Sequence, residues 1–86
     1  MRVAVVGAGA HIGGAVLFDG AVVEEGTVVR ASIVGARARI GRGCVLDEAV
    51  VGDHAVVGAG NELRSGVRVW TGAVLADRAI RFSSDQ

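Results

Sequence analysis

A chain of 86 residues makes one domain, and on folding it buries only roughly 60–65% of its unfolded surface. Hydrophobic residues supply 51% of it but aromatics only 3%, so the core has to be built from Val, Ile, Leu and Ala. Nine acidic residues balance nine basic ones, which leaves no basic stripe for nucleic acid, and no apolar run reaches the roughly 20 residues of a membrane-spanning helix. The single cysteine excludes an internal disulfide framework. The first residues lack the charged and apolar regions of a signal peptide, so the expected compartment is the cytoplasm.

The opening segment, Val3 to Gly13, reads as a strand running into a glycine-rich loop, as a dinucleotide-binding fold would begin. That fold needs a third glycine at position 12, where Ile12 stands, and a helix after it. Ala15 to Gly20 is instead another copy of a unit that recurs along the whole chain, and the nucleotide reading falls away.

The unit is plainest from Val34 to Glu62. Each block opens on an aliphatic residue, passes through a turn and places a small residue before the next opener. The openers are Met1, Val6, Ile12, Leu17, Val23, Val29, Val34, Ile40, Leu46, Val51, Val57, Leu63, Val69, Leu75 and Arg81. Most blocks have six residues; those from Ile12, Val29 and Leu46 have five, and every third block is short. The superperiod is therefore 17, rising to 18 from Leu63 onward. Fourteen glycines and no proline fit repeated tight turns.

Three blocks per turn describe a triangular coil, each block giving a short strand and a corner. Strand alternation sends the opener inward and its two neighbours outward. The corners turn in a small residue: Ala10, Ala21, Thr27, Ala38, Cys44, Ala55, Asn61, Ala73 and Ala79, with Ala15, Ser32 and Ala49 in the short blocks. Two independent columns agree, so the predicted fold is all-β, a parallel β-helix of about five coils roughly 24 Å tall.

Over residues 3–80 this pattern resembles the left-handed β-helix family of hexapeptide-repeat proteins, and the left hand is what the resemblance implies. Acyltransferases, γ-class carbonic anhydrases and the C-terminal domains of sugar-nucleotide pyrophosphorylases share it. Gly60-Asn-Glu-Leu63, Arg68-Val-Trp70-Thr-Gly72 and Ile80-Arg-Phe-Ser-Ser-Asp85 are similar to the end of mannose-1-phosphate guanylyltransferases. Thr71 and Ala76 stand where that family tends to have proline. The resemblance implies a non-catalytic assembly or regulatory domain, residues 1–86, forming the C-terminal part of a larger nucleotidyltransferase. In such enzymes a sugar 1-phosphate attacks the α-phosphorus of a nucleoside triphosphate and pyrophosphate leaves, with a divalent metal such as Mg in the catalytic domain. The family's catalytic loop, G-x-G-x-R-L-x-P-L-T, has no counterpart here, so no catalytic, cofactor or metal residue is carried over to this chain. The alternatives are a hexapeptide-repeat acyltransferase with a CoA-type donor, or a plain assembly scaffold.

The remaining candidates read as structural. His11 belongs on an outer face and His54 at a corner, with no loop insertion to shape a pocket, and two histidines do not complete a three-His zinc site. Cys44 fills a corner slot otherwise held by Ala or Thr, which is the place of a small buried residue. Arg37, Arg39 and Arg42 lie close in sequence and suit either an anion or a solvated face. Arg30, Asp47 and Arg64, 17 residues apart, are expected to stack as an outward charge ladder.

One side stands out. Around the openers Leu17, Val34, Val51 and Val69, the outward slots hold Val16, Phe18, Ile33, Val50 and Trp70, while the other sides offer Arg39, Glu24, Glu62, Arg30 and Asp47. An apolar outer column calls for a partner. The expected partner is a second copy in a homo-oligomer, or a catalytic nucleotidyltransferase domain.

Overall fold

The opener of each block turns inward and the chain winds as thirteen short strands, in a computed structural model that describes residues 4–80. The block starts at Met1 and Arg81, and the terminal motif after Ile80, lie outside the described residues. The first coil is β1 (Val5–Val6), β2 (His11–Gly13) and β3 (Val16–Leu17). The second is β4 (Val22–Val23), β5 (Val28–Arg30) and β6 (Ile33–Val34). The third is β7 (Arg39–Ile40), β8 (Val45–Asp47) and β9 (Val50–Val51), and the fourth is β10 (Val56–Val57), β11 (Glu62–Arg64) and β12 (Arg68–Val69). β13 (Val74–Leu75) begins a fifth. The described residues thus make just over four coils rather than five, because the outermost two blocks of the sequence pattern fall at the ends.

Strands of equal place in successive coils pair in parallel. Sheet A runs β1-β4-β7-β10-β13, sheet B β2-β5-β8-β11 and sheet C β3-β6-β9-β12. Val5 sits beside Val22, Val28 beside Val45 and Ile33 beside Val50, each one 17-residue period on. From the fourth coil the step becomes 18: Val56 pairs Val74 and Val50 pairs Arg68. The extra residue sits in one corner. Ser65 and Gly66 both take positive φ (58° and 88°) where Ala31 (49°) and Glu48 (56°) turn the same corner singly.

The interior is a stack of openers. Val23, Val29, Val34, Ile40, Leu46, Val51, Val57 and Leu63 are buried, each contributing about 1.5–3 kcal/mol relative to exposure. Val6 and Ile12, also openers, remain exposed in the first coil, since among the described residues no coil lies beneath them. The small corner residues Ala21, Thr27, Ala38, Cys44, Ala55 and Asn61 are buried, and so are Ser32 and Ala49. Ala79 departs from the expectation and is exposed, because it follows β13, beyond the last paired strand.

The polar members of the corner columns are bonded rather than merely small. The Thr27 hydroxyl donates to the Gly41 carbonyl at 2.8 Å, and the Ser32 hydroxyl to the Arg30 carbonyl at 2.7 Å. Asn61 donates to the Gly58 and Ala76 carbonyls (2.8 and 3.0 Å) and accepts from the Ile80 amide at 2.7 Å. Among the described residues every buried side-chain nitrogen and oxygen has a partner.

Candidate interaction surface

Sheet C carries two lines of residues two apart in sequence, one at the start of each strand and one just past its end. One is Val16, Ile33, Val50 and Arg68, held in register by strand pairing. The other is Phe18, Gly35, Gly52 and Trp70, aligned by the amides of Phe18, Gly35 and Gly52, which donate to Val34, Val51 and Val69; only its end members Phe18 and Trp70 are exposed, and Gly35 is buried. Val16, Ile33 and Val50 form the expected exposed apolar ridge. Phe18 and Trp70 correct the expectation: they do not extend that ridge but bracket the neighbouring column, with Gly35 and Gly52 between them. Phe18 is 50% exposed and Trp70 77%. Glycine is required at the middle of that column, since a Cβ on Gly35 would lie 2.6 Å from the Asp53 nitrogen and one on Gly52 2.5 Å from that of Thr71.

The other faces are less uniformly polar than the sequence contrast implies. Sheet A sets Val5, Val22, Arg39, Val56 and Val74 in one outward column, with Val74 72% exposed. Arg39 interrupts this second apolar stripe and masks it in the sequence. A shallow depression of about 450 Å³ lies on this face, lined among others by Val5, Gly7, Glu24, Arg39 and Arg42. Sheet B carries the charge ladder: Arg30 pairs with Asp47 in register at 3.5 Å, and Arg64 stands opposite Asp47 on the next coil.

Of the three clustered arginines, Arg39 and Arg42 line the depression on sheet A together with Glu24 and Glu25, and Arg37 is not among its lining residues. Arg37 turns the corner before β7 with φ 58°, Arg39 pairs with Glu24 at 3.2 Å, and Arg42 occupies the corner after β7. Arg37 and Arg42 lie on opposite sides of β7 in the chain. Arg42 also lines an open depression of about 500 Å³ with Arg78, beside Asp77, whose carboxylate accepts from the Ala59 amide at 2.9 Å.

His11 begins β2 on the outside of sheet B, and His54 turns a corner in the left-handed region (φ 63°); both are exposed. Cys44 is fully buried, its thiol donating to the Gly58 carbonyl at 3.1 Å, and burial pushes its pKa up. Among the described residues no three His, Cys, Asp or Glu side chains are grouped to hold a metal ion, and no helix is long and apolar enough to cross a membrane. The surface offers flat strips of apolar and charged side chains.

The family model described as the GMPPB C-terminal domain matches residues 2–84. The chain is similar to a mannose-1-phosphate guanylyltransferase of Mycobacterium tuberculosis (strain ATCC 25618 / H37Rv), with 66% identity over 84 residues. That match takes in 98% of this chain and 23% of the relative, so the chain spans about a quarter of the relative's length.

Proposed function

The chain belongs to the GMPPB C-terminal domain family, and from that premise we propose that it is the non-catalytic assembly domain of a cytoplasmic mannose-1-phosphate guanylyltransferase. The observation that supports this reading is the exposed apolar ridge of Val16, Ile33 and Val50 on sheet C, with Phe18 and Trp70 exposed beside it. Val16, Phe18, Ile33, Val50 and Trp70 then form the contact face, and a monomeric coil would leave them in water.

The chemistry belongs to the remainder of the longer polypeptide. There a phosphate oxygen of mannose 1-phosphate attacks the α-phosphorus of GTP, pyrophosphate leaves and GDP-mannose forms. A divalent metal such as Mg in that catalytic domain offsets the phosphate charge. Arg-lined depressions on a coil are not enough for this reaction, which needs metal carboxylates and a phosphate-cradling loop. The test is direct. The purified chain with GTP, mannose 1-phosphate and Mg²⁺ should release no pyrophosphate above a protein-free blank, and turnover that tracks the chain through purification would overturn the reading.

A further inference from the structure

We infer that the N-terminal end of the coil is a docking surface for one more parallel coil, supplied by the longer polypeptide and laid against β1, β2 and β3. This rests on the assembly reading in taking the chain as part of a longer protein. It goes beyond that reading in naming the end that is joined and the form of what joins it.

The first coil is left open in its side chains and in its backbone. The inward residues Val6 and Ile12 are 44% and 38% exposed, where their counterparts Val23 and Val29 in the second coil are 0% exposed. At each corner of the second coil, the amide of the left-handed residue donates to the coil beneath: Gly26 to Ala8, Ala31 to Gly13 and Arg37 to Asp19, at 3.0, 2.9 and 2.9 Å. The later coils repeat this, as in Gly43 to Glu25, Glu48 to Arg30 and His54 to Ala36. Gly9, Gly14 and Gly20 hold those places in the first coil, with positive φ of 72°, 61° and 74°, and their amides donate to nothing among the described residues. The carbonyls of Ala10 and Ala15 accept nothing among the described residues, where those of Thr27 and Ser32 accept from His11 and Val16. A donor at every corner around an apolar centre is one half of the contact that joins each coil to the next.

The composition of this end is that of an interior coil. From Val3 to Phe18 there is no Asp, Glu, Lys, Arg or Pro, so nothing blunts the strand edges as open edges are blunted. A terminal repeat carries a polar outer side. The opposite end has one: Asn61 bonds to Ala76 and Ile80, and the last described corner holds Asp77 and Arg78. Every strand pair in the coil is parallel at a step of 17 or 18 residues, so a further coil meets this edge with no change of geometry. A single added strand would satisfy one side and leave two corners unpaired. Residues 1–3 are too few for such a coil, whereas the chain spans 23% of its relative and matches a C-terminal domain, whose remaining polypeptide lies on this side.

Amide hydrogen exchange resolved at single residues tests this in two samples, the dilute isolated chain and a longer guanylyltransferase polypeptide carrying it. Gly9, Gly14 and Gly20 should exchange freely in the first and be slowed roughly 100-fold or more in the second, while Gly26, Ala31 and Arg37 are protected in both. In the longer polypeptide, Ile12→Cys and a cysteine one coil before it should oxidise to a disulfide, because inward residues of adjacent coils lie about 4.8 Å apart. Fast exchange at the three glycines in the longer protein would overturn the inference, and so would protection confined to one corner or failure of the disulfide. Protection that grows with concentration in the isolated chain would mean that a second copy seats on this end, and would overturn the occupant. If the three glycines stay unprotected while Phe18 and Trp70 are shielded in the longer protein, the added coil fails and the assembly reading stands.

Discussion

Asn61 is the one carboxamide in a corner column otherwise made of Ala10, Thr27, Cys44 and Ala79; of its three hydrogen bonds one closes its own corner on Gly58 and two tie the fourth coil to Ala76 and Ile80. Sequence spacing places it in a buried corner but treats it as merely small; the single change from hydroxyl, thiol or methyl to amide was the available signal. Asn61→Ala removes two donors and one acceptor from a buried site and should cost about 2–4 kcal/mol in urea denaturation, while an effect near zero would mean that water replaces the side chain. Cys44 illustrates the opposite case, a thiol that the spacing reads correctly as packing. Burial raises its folded pKa, so the folded state holds the thiol proton more tightly than the unfolded chain does. Stability is unaffected while both states are protonated and falls as pH rises past the unfolded thiol's pKa, by at most about 1.4 kcal/mol per pH unit. Relative to Cys44→Ala, the unmodified chain should lose stability in alkali, and parallel curves for the two would contradict this.

At the scale of the strand, the register was legible because the short blocks recur and each opener has one inward place to go. Val29, Leu46 and Leu63 stack as the spacing demands, and the change of step at Leu63 appears as the paired turn Ser65-Gly66. Arg30 and Asp47 meet as expected, and Arg64 shares the register with no ion pair to Asp47 among the described residues. Both partners of the pair are well exposed, so it contributes about 0.2–1 kcal/mol, and its larger effect is on register. Asp47→Arg would place three arginines in line and should lower the melting temperature more than Asp47→Ala. Equal shifts would show that the ladder has no energetic weight. The columns of sheet C were less legible: strand alternation gives which residues point out, but it does not say that Phe18 and Trp70 share a line with two glycines. The valines of sheet A were hidden for a related reason, Arg39 breaking the run that the eye follows in the sequence.

For the whole molecule, a coil of this length gains its core from neighbour-on-neighbour stacking, so its faces are free to be specialised. Sheet B carries a charge ladder, sheet C an apolar ridge with exposed Phe18 and Trp70 beside it, and sheet A an interrupted valine stripe. On the proposed reading such a coil lies beside a catalytic domain, and the exposed apolar residues are what a partner would cover. Hydroxyl-radical footprinting compares that state directly in two samples, the dilute isolated chain and a longer guanylyltransferase polypeptide carrying it. Labelling of Phe18, Ile33 and Trp70 should fall several-fold in the longer protein, while His11 on sheet B and His54 at its corner keep their reactivity. Equal labelling of Phe18 and Trp70 in the two samples would contradict an assembly role for this face.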